Sequence, residues 1–155
     1  RSRGRLTVTG VVQDDGTPRI TGSGEIADTA ELAPTAAALA LLASGPTRLT
    51  GIGHLRGHET DRLAALTAEA ARLGITVDED ETSLGFPGTD ASGPLSPAAL
   101  ETYHDHRMAT FAAVVGLRVP GTGIVDVATT AKTMPDFPAL WTALVAPGDA
   151  AEEAR

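Results

Sequence analysis

Two short stretches concentrate groups that hold anions or metal ions. "GHETDRL" (57–63) sets His58, Glu59 and Arg62 at the head of an apolar run, and "HDHRMA" (104–109) does the same with Asp105, His106 and Arg107. All four histidines, at 54, 58, 104 and 106, lie in or beside these stretches. The basic residues are eleven arginines and a single lysine, Lys132. Arginine presents a planar fork to carboxylate or phosphate, and lysine a compact point charge. Arg62, Arg107 and Lys132 in one mouth would suit a small ligand with more than one negative group.

The elements needed to position them can be read from periodicity. Residues 5–12 alternate as a half-buried strand, with "TPRITG" (17–22) as its hairpin partner across "DDG". "ELAPTAAALALLAS" (31–44) reads as a helix with Pro34 in its first turn, and "TRLTGIG" (47–53) as a short buried strand. Residues 59–74 form the clearest helix, with Leu63, Leu66, Ala70 and Leu73 on one face and Gly74 at the stop. "ITVDED" and "TSLGFPG" read as a second hairpin, and residues 87–97 as a Pro-, Gly- and Ser-rich loop. A helix over 106–119, a strand over 121–127 and a short terminal helix then echo the first half at an offset of about 75 residues. Alternating strands and helices give an α/β domain. Glu31, the His58–Arg62 cluster, the Asp105–Arg107 cluster and Lys132 all fall at strand-to-helix junctions, where free N–H groups and the helix dipole favour anions.

Two other readings use the same residues. A carboxylate at a helix start is a favourable cap in its own right, so "ETDR" also reads as a capped, solvated helix end, and the domain as folded but inert. His54, His58, His104 and His106, with Glu59 and Asp105, could instead build the metal site of a hydrolase. Gly57 interrupts the first histidine pair, however, and the neighbouring arginines would repel a cation.

Composition narrows the classes further. With 155 residues, 42% hydrophobic and 21% charged, the chain suits one packed core. A net charge of −8 argues against a nucleic-acid surface, which needs clustered Lys and Arg. No stretch approaches the roughly 18 apolar residues of a membrane span. The absence of Cys excludes thiol catalysis and thiolate metal sites and fits a reducing, cytoplasmic compartment. The chain opens without Met and runs at once into "RLTVTGVV", as a fragment would.

"GHETDRL", "HDHRMAT" and "ATTAKTMPDF", in this order and with "ELAPTAAALA" upstream, resemble the C-terminal part of the 5-enolpyruvylshikimate-3-phosphate synthase family. The similarity runs over most of residues 20–146, about the last third of a typical member. It implies part of one of two domains built from βαβαββ units, here two units over 1–88 and 95–147 within a partial domain at 1–147, followed by a polar tail at 148–155. The implied reaction transfers the enolpyruvyl group of phosphoenolpyruvate to the 5-hydroxyl of shikimate 3-phosphate and releases phosphate, with no metal or cofactor. The resemblance implies Glu31 as base toward that hydroxyl and Glu59 as handler of the methylene proton. It implies Arg62, Arg107 and Lys132 as grips on phosphoenolpyruvate, with His106 in the same pocket. His58 stands where many members carry Lys near shikimate 3-phosphate. The expected partner is the missing N-terminal portion of the same enzyme, without which the piece would have little turnover. A relative acting on UDP-N-acetylglucosamine shares fold and donor but lacks "ETDR" followed by "DHRMA".

Overall fold

The computed structural model describes Val12 and residues 19–146. Apart from Val12, the strand expected over 5–12, its turn and the tail at 148–155 lie outside the described residues.

Among the described residues six strands and five helices follow in order: β1 (Gly24–Ala27), α1 (Ala33–Leu42), β2 (Thr47–Thr50), α2 (Arg62–Arg72), β3 (Asp78–Glu79), β4 (Leu84–Phe86), α3 (Thr89–Ser92), β5 (Ala99–Leu100), α4 (His106–Gly116), β6 (Gly123–Ile124) and α5 (Phe137–Val145). Short 3₁₀ turns occupy 30–32, 53–57 and 127–132. β1 and β2 pair in parallel, Gly24 opposite Thr47 and Ala27 opposite Thr50. β4 joins β2 antiparallel and β3 joins β4, giving the order β1-β2-β4-β3. β5 and β6 form a separate parallel pair. The run from β1 to β4 is therefore a βαβαββ sequence, and the run from β5 to α5 is βαβα.

Several elements differ from the periodicity reading. Residues 19–22 are not a hairpin strand. Their backbone is held by the bond from Ser44 N to Ile20 O at 2.8 Å, Arg19 donates to Ser44 Oγ at 3.0 Å, and a Cβ on Gly22 would meet the Gly45 carbonyl carbon at 2.4 Å. The chain crosses the 44–46 loop closely there, and pairing begins only at Gly24. α2 opens at Arg62, three residues after Glu59, because Asp61 is extended and its carboxylate caps the Ala64 N–H at 3.0 Å. The strand expected over 121–127 shrinks to two residues, since Asp126 turns left-handed (φ +54°) into the following 3₁₀ turn. α4 ends at Gly116, short of 119. At the other end of α2, Gly74 (φ +90°) and the bonds Ile75 N to Ala70 O and Gly74 N to Ala71 O close a Schellman cap, as the stop signal requires.

The core joins both runs. Ala33, Ala37, Ala38 and Leu41 of α1 pack with Met108, Phe111, Ala112 and Val115 of α4, and this is the most extensive helix contact. Leu63, Leu66, Ala70 and Leu73 bury the apolar face of α2 as spaced. Among the described residues no helix is long and apolar enough to cross a membrane.

Glu69, fully buried on α2, ties that helix to the segment leading into α4: its Oε1 accepts from Tyr103 Oη at 2.6 Å and its Oε2 from the Glu101 N–H at 3.0 Å. Desolvation, then the hydrogen bond and charge of Glu69, push the Tyr103 phenol up to about 12. The fold favours the neutral phenol, so this contribution to stability is intact below pH about 10 and is lost as pH rises through the folded value. Tyr103 is the chain's sole tyrosine. Phenolate absorbance should therefore titrate near pH 12 in the native chain, and Glu69→Gln should bring the midpoint down toward 10; an ordinary midpoint in the native chain would refute the buried link.

Candidate active site

The charged groups lie on the four connections that leave the C-terminal ends of β1, β2, β5 and β6. Parallel strands direct the following helix starts to that one end, where α/β sheets bind ligands. Glu31 sits in the turn before α1. His58 and Glu59 precede α2, Arg62 is its first residue, Asp105 caps α4 and Lys132 closes the 3₁₀ turn before α5.

Arg62 is the centre. Its side chain is 2% exposed, and its Nε donates to the fully buried Asp105 Oδ2 at 2.7 Å. One terminal nitrogen donates to Glu31 Oε2 at 2.8 Å and lies 3.3 Å from His58 Nδ1. Burial works against the Arg62 charge, but the hydrogen bonds to Asp105 and Glu31 outweigh it and raise its pKa. Asp105 serves two elements at once, since its Oδ1 accepts the Arg107 N–H at 2.8 Å and so caps α4.

Arg107 reaches Glu31 from the other side. A terminal nitrogen donates to the Glu31 carbonyl at 2.8 Å, and Nε stands 2.7 Å from Glu31 Oε2 as a charge contact without a directed hydrogen bond. His58 Nδ1 lies 3.0 Å from Glu31 Oε1. The hydrogen bond from Arg62 chiefly holds the Glu31 carboxyl below its usual range; partial desolvation opposes this, and the charges of Arg62, Arg107 and His58 reinforce it.

The second half of the site centres on Glu59. Lys132 Nζ pairs with Glu59 Oε1, while His106 Nδ1 lies 3.3 Å from Glu59 Oε2 and 3.9 Å from Asp105 Oδ1. His106 Nδ1 is buried and makes no hydrogen bond.

The seven residues that the resemblance implied thus join two ion-pair clusters: Glu31, His58, Arg62 and Arg107 in one, Glu59, His106 and Lys132 in the other. Asp105 bridges them and is the residue whose structural weight the sequence reading missed. Its position one residue ahead of a helical run is the N-cap signal that could have found it.

Each of the three cations faces a carboxylate in this geometry. The four-histidine metal arrangement does not form. His104 is 93% exposed and faces Asp126, and His54 meets only the edge of His58, with ring centres 5.9 Å apart. Among the described residues the one compact group of metal-ligating types is Glu59, Asp105 and His106, with ligand atoms within 4.8 Å. Lys132 and Arg62 already neutralise its two carboxylates, so this set suits side-chain cations rather than a metal.

Comparison with known proteins supplies the family. Residues 8–141 match the family model of EPSP synthase (3-phosphoshikimate 1-carboxyvinyltransferase). The chain is 54% identical over 121 residues to the 3-phosphoshikimate 1-carboxyvinyltransferase of Kocuria rhizophila, covering 78% of this chain and 26% of that protein. It is 46% identical over 134 residues to the enzyme of the same name from Bifidobacterium longum, covering 86% of this chain and 30% of that protein. Among solved structures, an EPSP synthase from Acinetobacter baumannii superposes with a TM-score of 0.62 at 31% identity, over 69% of this chain and 25% of that one. The chain spans about 26% to 30% of the length of the curated relatives it matches.

The two clusters should differ sharply in their weight for folding. Asp105→Ala leaves the buried Arg62 charge half-paired and uncaps α4, and should cost about 3–5 kcal/mol in urea unfolding. Lys132→Ala removes a pair whose lysine is 62% exposed and should cost about 0–1 kcal/mol. Equal losses would overturn the central place given to Arg62 and Asp105.

Proposed function

We infer the role of this chain from its family: it belongs to the EPSP synthase (3-phosphoshikimate 1-carboxyvinyltransferase) family. The chain supplies the phosphoenolpyruvate-handling wall of an enzyme that transfers the enolpyruvyl group to the 5-hydroxyl of shikimate 3-phosphate. The remainder of that enzyme supplies the opposite wall and most contacts to the acceptor. The observation that carries this reading is the convergence of Arg62, Arg107 and Lys132 with Glu31 and Glu59 on the connections that leave the C-terminal ends of two parallel strand pairs, β1–β2 and β5–β6.

The chemistry follows from the charges. The acceptor hydroxyl oxygen bonds to the central carbon of phosphoenolpyruvate, its proton passes to a base, and the methylene carbon gains a proton to become a methyl group. Loss of phosphate, with a proton leaving that methyl group, restores the double bond. Glu31, in the turn before α1, is the base toward the hydroxyl. Glu59, beside Lys132 and His106, exchanges the proton at the methylene carbon. Arg62, Arg107 and Lys132 hold the phosphate and carboxylate, and their charge stabilises the anionic tetrahedral intermediate. His58, next to Glu31, donates toward the acceptor when protonated. His106 lies beside the Glu59 carboxylate in the same pocket.

With the chain joined to the remainder of the enzyme, phosphate release from phosphoenolpyruvate should require shikimate 3-phosphate. Glu59→Gln should lower kcat by about two to four orders of magnitude, while Lys132→Met should chiefly raise KM for phosphoenolpyruvate. Release independent of the acceptor, or an unchanged rate in Glu59→Gln, would refute the assignment.

A further inference from the structure

Glu31 occupies a position that an anionic ligand would compete for. Its Oε2 lies 2.8 Å from an Arg62 terminal nitrogen and 2.7 Å from Arg107 Nε, its Oε1 lies 3.0 Å from His58 Nδ1, and its own carbonyl accepts from Arg107. One carboxylate thus faces two guanidiniums and an imidazole contributed by α2, α4 and the loop before α2. The pairing is replaceable. The Glu31 side chain is 43% exposed, and the Arg107 Nε–H makes no directed hydrogen bond despite its closeness. Arg62, by contrast, keeps its buried partner Asp105 whether or not Glu31 stays.

We propose that Glu31 is an internal counter-ion that selects the ligand: a weak monoanion cannot displace it from Arg62 and Arg107, whereas a phosphate-bearing dianion can. The proposal rests on the anion-site reading above and adds a specificity-determining role for Glu31. A dianion offers several oxygens to two forks at once, so it regains the contacts that Glu31 gives up. Chloride or acetate offers one charge and loses the exchange. Displacement also frees the carboxylate from the two guanidiniums that suppress its basicity, so the base becomes competent only when the donor is bound.

The test is calorimetric binding of phosphoenolpyruvate, inorganic phosphate and acetate to the full chain and to two variants, each checked for native circular dichroism. Glu31→Gln removes the charge. Glu31→Asp keeps the charge but withdraws the carboxylate by one methylene, so it cannot span both arginines. Both variants should bind phosphoenolpyruvate and phosphate about tenfold more tightly than the native chain, the scale of one charge-assisted hydrogen bond. Acetate, undetected on the native chain, should become a measurable ligand of Glu31→Gln. If Glu31→Gln tightens binding while Glu31→Asp matches the native chain, only net charge matters and the counter-ion role is overturned. If the native chain binds phosphoenolpyruvate and both variants bind it equally or more weakly, the role is overturned while the anion site stands. If neither the native chain nor Glu31→Gln binds any of the three anions, the site reading falls and the proposal with it.

Discussion

The buried pair between Arg62 and Asp105 is the interaction on which the rest of the site depends. A guanidinium that is 2% exposed must find acceptors within the protein, because unpaired burial of a charge is far more costly than any single contact can offset. Asp105 supplies one acceptor and at the same time caps α4. The chain from β2 and the chain from β5 are thereby locked at a fixed spacing, although the two partners stand 43 positions apart in sequence. The remaining charges then arrange themselves around Arg62: Glu31 comes from α1's entry turn, and Arg107 follows from the second position of the helix that Asp105 caps.

Support for that pair extends inward. Glu69 lies two turns along α2 from Arg62 and grips Tyr103 and Glu101, just ahead of Asp105. Tyr103 and His104 both adopt left-handed backbone, φ +53° and +57°, a conformation that non-glycine residues enter only when their surroundings hold them there. The Tyr103–Glu69 bond is the visible restraint. α2 therefore meets the approach to α4 at two points, one polar and buried, the other charged and facing the site.

Much of this was legible in the residues and some of it was not. α2 and α4 carry strong 3.6-residue periodicity, so their existence followed from pattern alone, while the Asp caps that fix where they start did not. β1 was not legible, because three of its four residues are exposed and "GEIA" does not alternate; it is a strand only because β2 runs beside it. β5 and β6, two residues each, are too short to leave a periodic trace. At the site, residue types at strand-to-helix junctions pointed to side chains that the fold brings together. Their pairing was invisible, because whether Arg107 faces solvent or Glu31 depends on how α1 sits against α4, a contact between positions some 75 residues apart in sequence.

That contact is made largely of methyl groups. α1 brings Ala33, Ala37 and Ala38, all fully buried, to the seam with α4. Small side chains let two helices approach closely, and they leave no slack: a longer side chain there has nowhere to go except by pushing the axes apart. Since Glu31 rides at the head of one helix and Arg107 at the head of the other, the alanine seam works as a spacer gauge for the charges above it. A change of one methylene at the bottom of the seam would be felt at the top as a change in electrostatic spacing, so the distances among these charges are set by residues that carry none.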